Sequence, residues 1–256
     1  MYPFIKIFSL KLPSYGICML LGYALVYVLA LIRSKRKYKP LQWEDLLAVT
    51  SAVLCSALLG GYILYMIVTY PKELLSGDFS VLTQGGVVFY GALFGGVAGA
   101  LIAIKILKIN ISVFEASVVP FIPLGHAVGR IGCALAGCCY GMEYYGPFAI
   151  YYPADNPLYY FNPYKGHFPV QFTEALLDVV IMIVLLVFLR KKRRKFDAIF
   201  LYLALYSVMR FCTEMLRGDE IRGIYQFNIS TSQWISIGLF VICILRLIIK
   251  QKTKKL

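Results

Sequence analysis

The chain has 256 residues, 60% of them hydrophobic and only 15% charged, with a mean hydropathy of +0.72. A soluble domain of this size carries roughly a quarter charged residues, so the composition excludes an ordinary soluble globule and points to one helical membrane domain spanning residues 1–256. The net charge of +13 is not a nucleic-acid footprint, because the basic residues come in short clusters between apolar runs rather than along one soluble face.

Seven apolar runs are predicted to span the membrane: Tyr15 to Ile32, Leu46 to Val68, Gly85 to Leu107, Val113 to Leu135, Val170 to Leu189, Ala198 to Leu216, and Thr231 to Ile249. Each approaches the ~20 residues needed to cross the hydrocarbon. The first run is preceded by positive residues, as in a signal peptide, but it is long and lacks a small-residue cleavage site, so it is expected to be retained. Basic residues concentrate in Arg33 to Lys39, at Lys105 and Lys108, in Arg190 to Lys195 and beyond Arg246, while the alternate connections are sparse. The positive-inside rule therefore predicts an outside N-terminus and a cytoplasmic C-terminus, which an odd number of spans satisfies. The fold class is all-α and polytopic.

Within the third run, Gly91, Gly95 and Gly99 recur at the small-xxx-small spacing that lets helices approach closely in lipid. The connection after the fourth run, residues 142–168, is rich in tyrosine and proline. It is predicted to be irregular and to lie on the outer leaflet, either as an aromatic belt or as a vestibule for a lipid-bearing substrate. His167, within it, is expected to be solvated.

Two arginines fall inside spans and away from the basic clusters at their ends, and each costs ~2.5–3.5 kcal/mol at the bilayer centre on insertion scales. With the fourth and sixth runs both heading outward, Arg130 and Arg210 lie at similar depth in the outer half, where their planar forks suit the phosphate of a phospholipid. His126, Arg130 and Cys133 share one helix face, as do Arg210, Glu214 and Arg217. Glu214 can serve the site or form an internal ion pair with Arg210; Glu174 opens the fifth run on the same side.

The seven cysteines show no disulfide framework. The C-x4-C-C run formed by Cys133, Cys138 and Cys139 lacks the paired spacing of zinc ribbons, and neighbouring side chains do not readily face one ion, so neither a metal nor a cofactor is expected.

GRIG (Gly129 to Gly132) followed by Tyr140 and Gly141 resembles the signature segment of the bacterial prolipoprotein diacylglyceryl transferase family. In the family's order come also SYG (Ser14 to Gly16), GGVVFYGALFGG (Gly85 to Gly96), PLGHAVGR (Pro123 to Arg130), FPVQFTE (Phe168 to Glu174), MRFCTEMLR (Met209 to Arg217) and SQWISI (Ser232 to Ile237). The resemblance covers nearly the whole chain. It implies an enzyme of the bacterial cytoplasmic membrane, facing the outer leaflet, that moves the diacylglyceryl group of phosphatidylglycerol to the lipobox cysteine of a preprolipoprotein and releases glycerol 1-phosphate. Its partners would be phosphatidylglycerol, the lipobox region of the signal peptide and membrane lipids, with no nucleic acid. Arg130 matches the signature arginine, and Tyr15, Gly141, Gln171, Glu174, Glu214 and Gln233 fall in matched motifs as substrate-binding candidates. The sequence departs from the family at Cys133 and Cys138, where asparagine and a carboxylate are usual, at Tyr62 in place of an arginine, and at Tyr90 in place of a histidine. With that histidine missing, His126 is the best proton acceptor by chemistry, or else a helix–helix hydrogen bond. Tyr90 would orient a headgroup. A phospholipid-dependent transferase with another acceptor, and a non-catalytic lipid or anion transporter, are the competing readings.

Overall fold

A computed structural model describes residues 3–7, 10–37, 41–77, 80–81, 86, 88–153, 162–191, 195–218 and 229–252. The chain is predominantly helical and forms two compact units, Arg33–Phe114 and Met1–Ile32 with Glu115–Leu256.

In the smaller unit, α2 (Trp43–Thr69) packs along α4 (Phe89–Ile106), with the short α3 (Pro71–Ser76) between them in sequence. The glycine stripe does what its spacing predicts. A Cβ on Gly91 would run into the Gly60 carbonyl oxygen, and one on Gly95 into that of Ser56, so the two backbones touch with no side chain between them. Val49, Ala103 and Ile104 form the buried cluster at the far end of this pair.

The larger unit opens with an antiparallel pair, β1 (Phe4–Ile7) and β2 (Leu10–Pro13), leading directly into α1 (Ser14–Lys37). The fourth predicted span is α5 (Ile111–Val118), a 3-10 turn (Val119–Phe121) and α6 (Ile122–Ala136). Pro120 and Pro123 divide it, because proline supplies no amide to the helical ladder. Helix α6 ends at Gly137, in the left-handed region at φ 83°, where the Gly137 and Cys138 amides both donate to the Cys133 carbonyl at 2.9 and 3.1 Å. Helices α7 (Val170–Phe188), α8 (Asp197–Glu214) and α9 (Thr231–Lys252) follow, with α6 against α7, α7 against α8 and α8 against α9.

Two caps fix where these helices begin. The buried Glu115 carboxylate accepts from the backbone N–H of Phe196 (2.6 Å), Ala198 (2.8 Å) and Ile199 (3.1 Å), satisfying the first-turn donors of α8. At α9, the Ser230 amide donates to Gln233 Oε1 at 3.0 Å and the Gln233 amide to Ser230 Oγ at 3.3 Å, a reciprocal capping box.

The connection between α6 and α7 is more ordered than its composition suggests. Ile150–Tyr151 (β3) pairs with Gly166–His167 (β4), and isolated bridges join Gly141 to Arg217 and Glu143 to His167. Residues 154–161 lie outside the described residues. His167 is not solvated as expected: it is 8% exposed, its Nδ1 lies 2.9 Å from the Gly141 carbonyl oxygen, and Tyr140 and Tyr152 pack edge-on against its ring.

Among the described residues, four helical segments are long and apolar enough to cross a membrane: Ser14–Arg36, Trp43–Thr69, Ile111–Ala136 and Val170–Phe188. Gly91–Ile106 and Thr231–Arg246 are apolar but shorter. The sixth predicted run is α8, whose last turns carry Arg210 and Glu214.

Candidate active site

Charged side chains gather where α6 and α8 end and α7 begins. Glu174, in the first turns of α7, is fully buried, and its two oxygens are divided between two helices. Oε2 faces Arg130 Nε at 2.9 Å; Oε1 accepts from Arg210 Nη1 at 2.9 Å and from Thr213 Oγ1 at 3.0 Å. Arg210 reaches further, placing Nη2 2.5 Å from the Glu214 carboxylate and 3.5 Å from Ser232 Oγ. The two arginines thus converge, as their similar depth predicts, but on a carboxylate rather than on an empty pocket. They also differ in what they have left. Both terminal nitrogens of Arg210 are engaged, whereas Arg130 spends only Nε, and its Nη groups have no acceptor among the described residues. Arg130's side chain is 19% exposed.

Glu174 belongs to a polar stripe that the sequence reading left incomplete. Gln171, Glu174 and Asp178 are all buried on one face of α7. Gln171 Nε2 donates to the Cys138 carbonyl and to Tyr152 Oη, both at 2.9 Å. Asp178, one turn deeper than Glu174, has an Oδ1 with no hydrogen-bond partner among the described residues. A carboxylate in the middle of an apolar run was the available signal for Asp178.

His126 sits one turn before Arg130 on α6, exposed on one side, with Nδ1 3.1 Å from Tyr202 Oη and its ring 5.4 Å from that of Tyr206. The helix–helix hydrogen bond is therefore present. It engages one ring nitrogen and leaves the other for a proton.

Beyond Arg130, α6 delivers Cys133, and the turn after it delivers Cys138 and Cys139. The expectation that adjacent cysteines diverge is overturned: the three Sγ atoms lie within 4.8 Å of one another. Gly137 at φ 83° and Cys139 at φ 55° both take left-handed conformations, which fold the chain so that neighbouring side chains meet. Cys133 and Cys138 hold the Cys139 thiol below its usual range by hydrogen bonding, and the Arg217 and Arg130 charges act the same way. Tyr15, at the start of α1, is within electrostatic reach of all three cysteines and of Arg130. Burial pushes the Tyr152 phenol up to about 12, keeping it neutral beside Gln171.

The remaining candidates divide. Gly141 is packed so closely on Phe168 and Gly218 that its role in the fold is backbone approach. Gln233 spends its amide on the α9 cap and, at 3.4 Å, on the Phe211 carbonyl. Tyr90 lies in the first turn of α4, in the other unit, and its side chain is outside the described residues.

Long apolar helices that bring two arginines and two carboxylates to a common end define a membrane-embedded protein with a buried ionic centre. The family model for prolipoprotein diacylglyceryl transferase matches residues 3–249, and the chain belongs to that transferase family. It is 37% identical over 250 residues to phosphatidylglycerol–prolipoprotein diacylglyceryl transferase 2 of Clostridium perfringens, with 92% of this chain and 90% of the relative covered. With the phosphatidylglycerol–prolipoprotein diacylglyceryl transferase of Clostridium tetani it shares 32% identity over 243 residues, covering 92% and 94%. The Bordetella avium protein of the same name is 28% identical over 244 residues, covering 93% and 89%.

Proposed function

We propose that the chain transfers the diacylglyceryl group of phosphatidylglycerol to the lipobox cysteine thiol of a preprolipoprotein, releasing glycerol 1-phosphate. The observation that carries the reading is the asymmetric use of the two arginines. Arg130 is anchored through Nε by Glu174 and keeps its paired Nη donors, the edge that matches two phosphate oxygens. Arg210, engaged at both ends, is a positioning residue: with Thr213 it holds Glu174, and Glu174 aims Arg130.

The reaction breaks the bond between the diacylglyceryl carbon and the phosphate oxygen while the thiolate sulfur bonds to that carbon. Negative charge grows on the departing phosphate, and a fixed guanidinium in a water-poor site stabilises it without reorganising. The thiol must lose its proton to become a nucleophile. His126 Nδ1 lies 3.1 Å from Tyr202 Oη; in the tautomer whose Nδ1–H donates to that oxygen, Nε2 is the acceptor for the thiol's proton. Tyr15, Gln171 and Glu214 border the same end of the helices and contact or position the substrates.

The full topology belongs to this reading: seven spans, the N-terminus outside, and the site beneath the outer leaflet of the bacterial cytoplasmic membrane. Its support is that Arg130, Glu174 and Arg210 occupy the helix ends opposite the basic cluster at Arg190–Lys195. The test is incubation of the purified chain with phosphatidylglycerol and a lipobox peptide. Glycerol phosphate should appear in step with a peptide mass gain of one diacylglyceryl group. Release without peptide modification points to another acceptor, and no release removes the enzymatic reading.

A further inference from the structure

The cysteine trio is not used by the mechanism above, and its geometry points to a metal site: Cys133, Cys138 and Cys139 bind one thiophilic divalent cation, zinc, through three thiolates, leaving a fourth position for the acceptor's cysteine thiol. This rests on the transfer reading for the identity of the fourth ligand.

Three observations carry it. First, the three sulfurs converge, all within 4.8 Å of one another. Zinc–sulfur bonds of about 2.3 Å place thiolates about 4 Å apart, so closure on an ion needs only side-chain adjustment. Second, the backbone is shaped for the convergence. Cys139 takes a left-handed conformation uncommon for a residue with a side chain, and the Cys138 carbonyl is tied down by the buried Gln171 at 2.9 Å. Third, the surroundings match the charge. Three thiolates and a divalent ion sum to one negative charge, and two cations are brought to the cluster by the fold: Arg130, one turn before Cys133 on α6, and Arg217, bridged to Gly141 two residues beyond Cys139. Cys133 is buried at the end of α6, while Cys138 and Cys139 are half-buried. Three protein ligands with one open position is the arrangement of a catalytic rather than a structural zinc.

Such a site supplies the nucleophile directly. When the lipobox thiol occupies the fourth position, its S–H bond breaks, the electron pair stays on the metal-bound sulfur, and the proton passes to water and from there to His126. The sulfur then bonds to the diacylglyceryl carbon, and the C–O electron pair leaves with the phosphate held at Arg130. The product is a neutral thioether, a weaker ligand, which dissociates.

The test uses the full chain in detergent with a non-thiol reductant. Loaded with zinc or cobalt(II), it should retain one ion, and the cobalt form should show thiolate-to-metal charge-transfer absorption. Both should be lost in Cys133→Ser and Cys139→Ser and kept in Cys212→Ser, a change at an exposed cysteine that is not part of the trio. Thermal unfolding of the serine variants beside chelated wild type separates loss of metal from loss of fold. A lipobox peptide should shift the cobalt bands, and its serine counterpart should not. Chelation should lower transfer at least tenfold, with zinc restoring it. Equal metal retention by the triple serine variant, no spectral response to the peptide, or undiminished transfer after chelation would each overturn the proposal. A metal-bound, peptide-responsive protein that releases no glycerol phosphate would support this site while overturning the transfer reading.

Discussion

Arg130 Nε stands 2.9 Å from Glu174 Oε2, a pair made between α6 and α7 by residues far apart in sequence. Glu174 is wholly buried, and Arg210 shares it. Glu174→Gln would leave two guanidiniums competing for a neutral amide. Breaking a buried pair by removing one partner costs about 3–5 kcal/mol. The expected outcome is a lowered Tm in detergent together with loss of glycerol phosphate release, measured on the same preparation. Full stability with full activity would remove Glu174 from the centre.

The two arginines should respond differently to lysine. Arg130→Lys keeps the charge but loses the paired Nη donors, so transfer should fall by about 100-fold, or about 2.7 kcal/mol of transition-state stabilisation, with little change in Tm. Arg210→Lys cannot serve Glu174, Glu214 and Ser232 together, so both Tm and transfer should fall. Steady-state kinetics and unfolding of the pair check this; equal behaviour would deny the division of roles.

Tyr202→Phe removes the hydroxyl that holds His126 Nδ1. The lost hydrogen bond should cost about 1 kcal/mol of stability. If His126 accepts the thiol's proton, kcat should drop severalfold with KM for phosphatidylglycerol unchanged, and the pH profile should shift. A Tm change alone, with an unmoved pH profile, would leave the histidine a packing residue.

Glu115→Ala should act on the fold and not on the chemistry. Three backbone N–H groups at the start of α8 lose their acceptor, a loss of about 1–3 kcal/mol if they stay buried. Hydrogen exchange should quicken around residues 196–199 while transfer below the lowered Tm stays near wild type. Unchanged exchange there would mean the cap is dispensable.

How much of this was legible depended on whether the signal was local. The glycine stripe of α4 was readable because spacing along one helix sets a face, and Gly91 and Gly95 do meet α2. The convergence of Arg130 and Arg210 was readable from their similar positions along the fourth and sixth runs. Asp178 was missed although its place in an apolar run marked it. His167 was misjudged because a tyrosine-rich loop reads as surface, whereas a strand pair and two flanking rings bury it.

By itself the sequence determined a membrane-embedded helical chain, the motifs of its family and the helix ends at which the charges gather, since these follow from hydropathy and spacing. Only the tertiary structure decided that Glu174 joins the two arginines, that Arg130 meets it through Nε while Arg210 uses both terminal nitrogens, and that three thiols meet beyond Arg130. Those facts depend on helix packing and on two left-handed residues, and composition and periodicity carry no information about which side chains are brought together across helices.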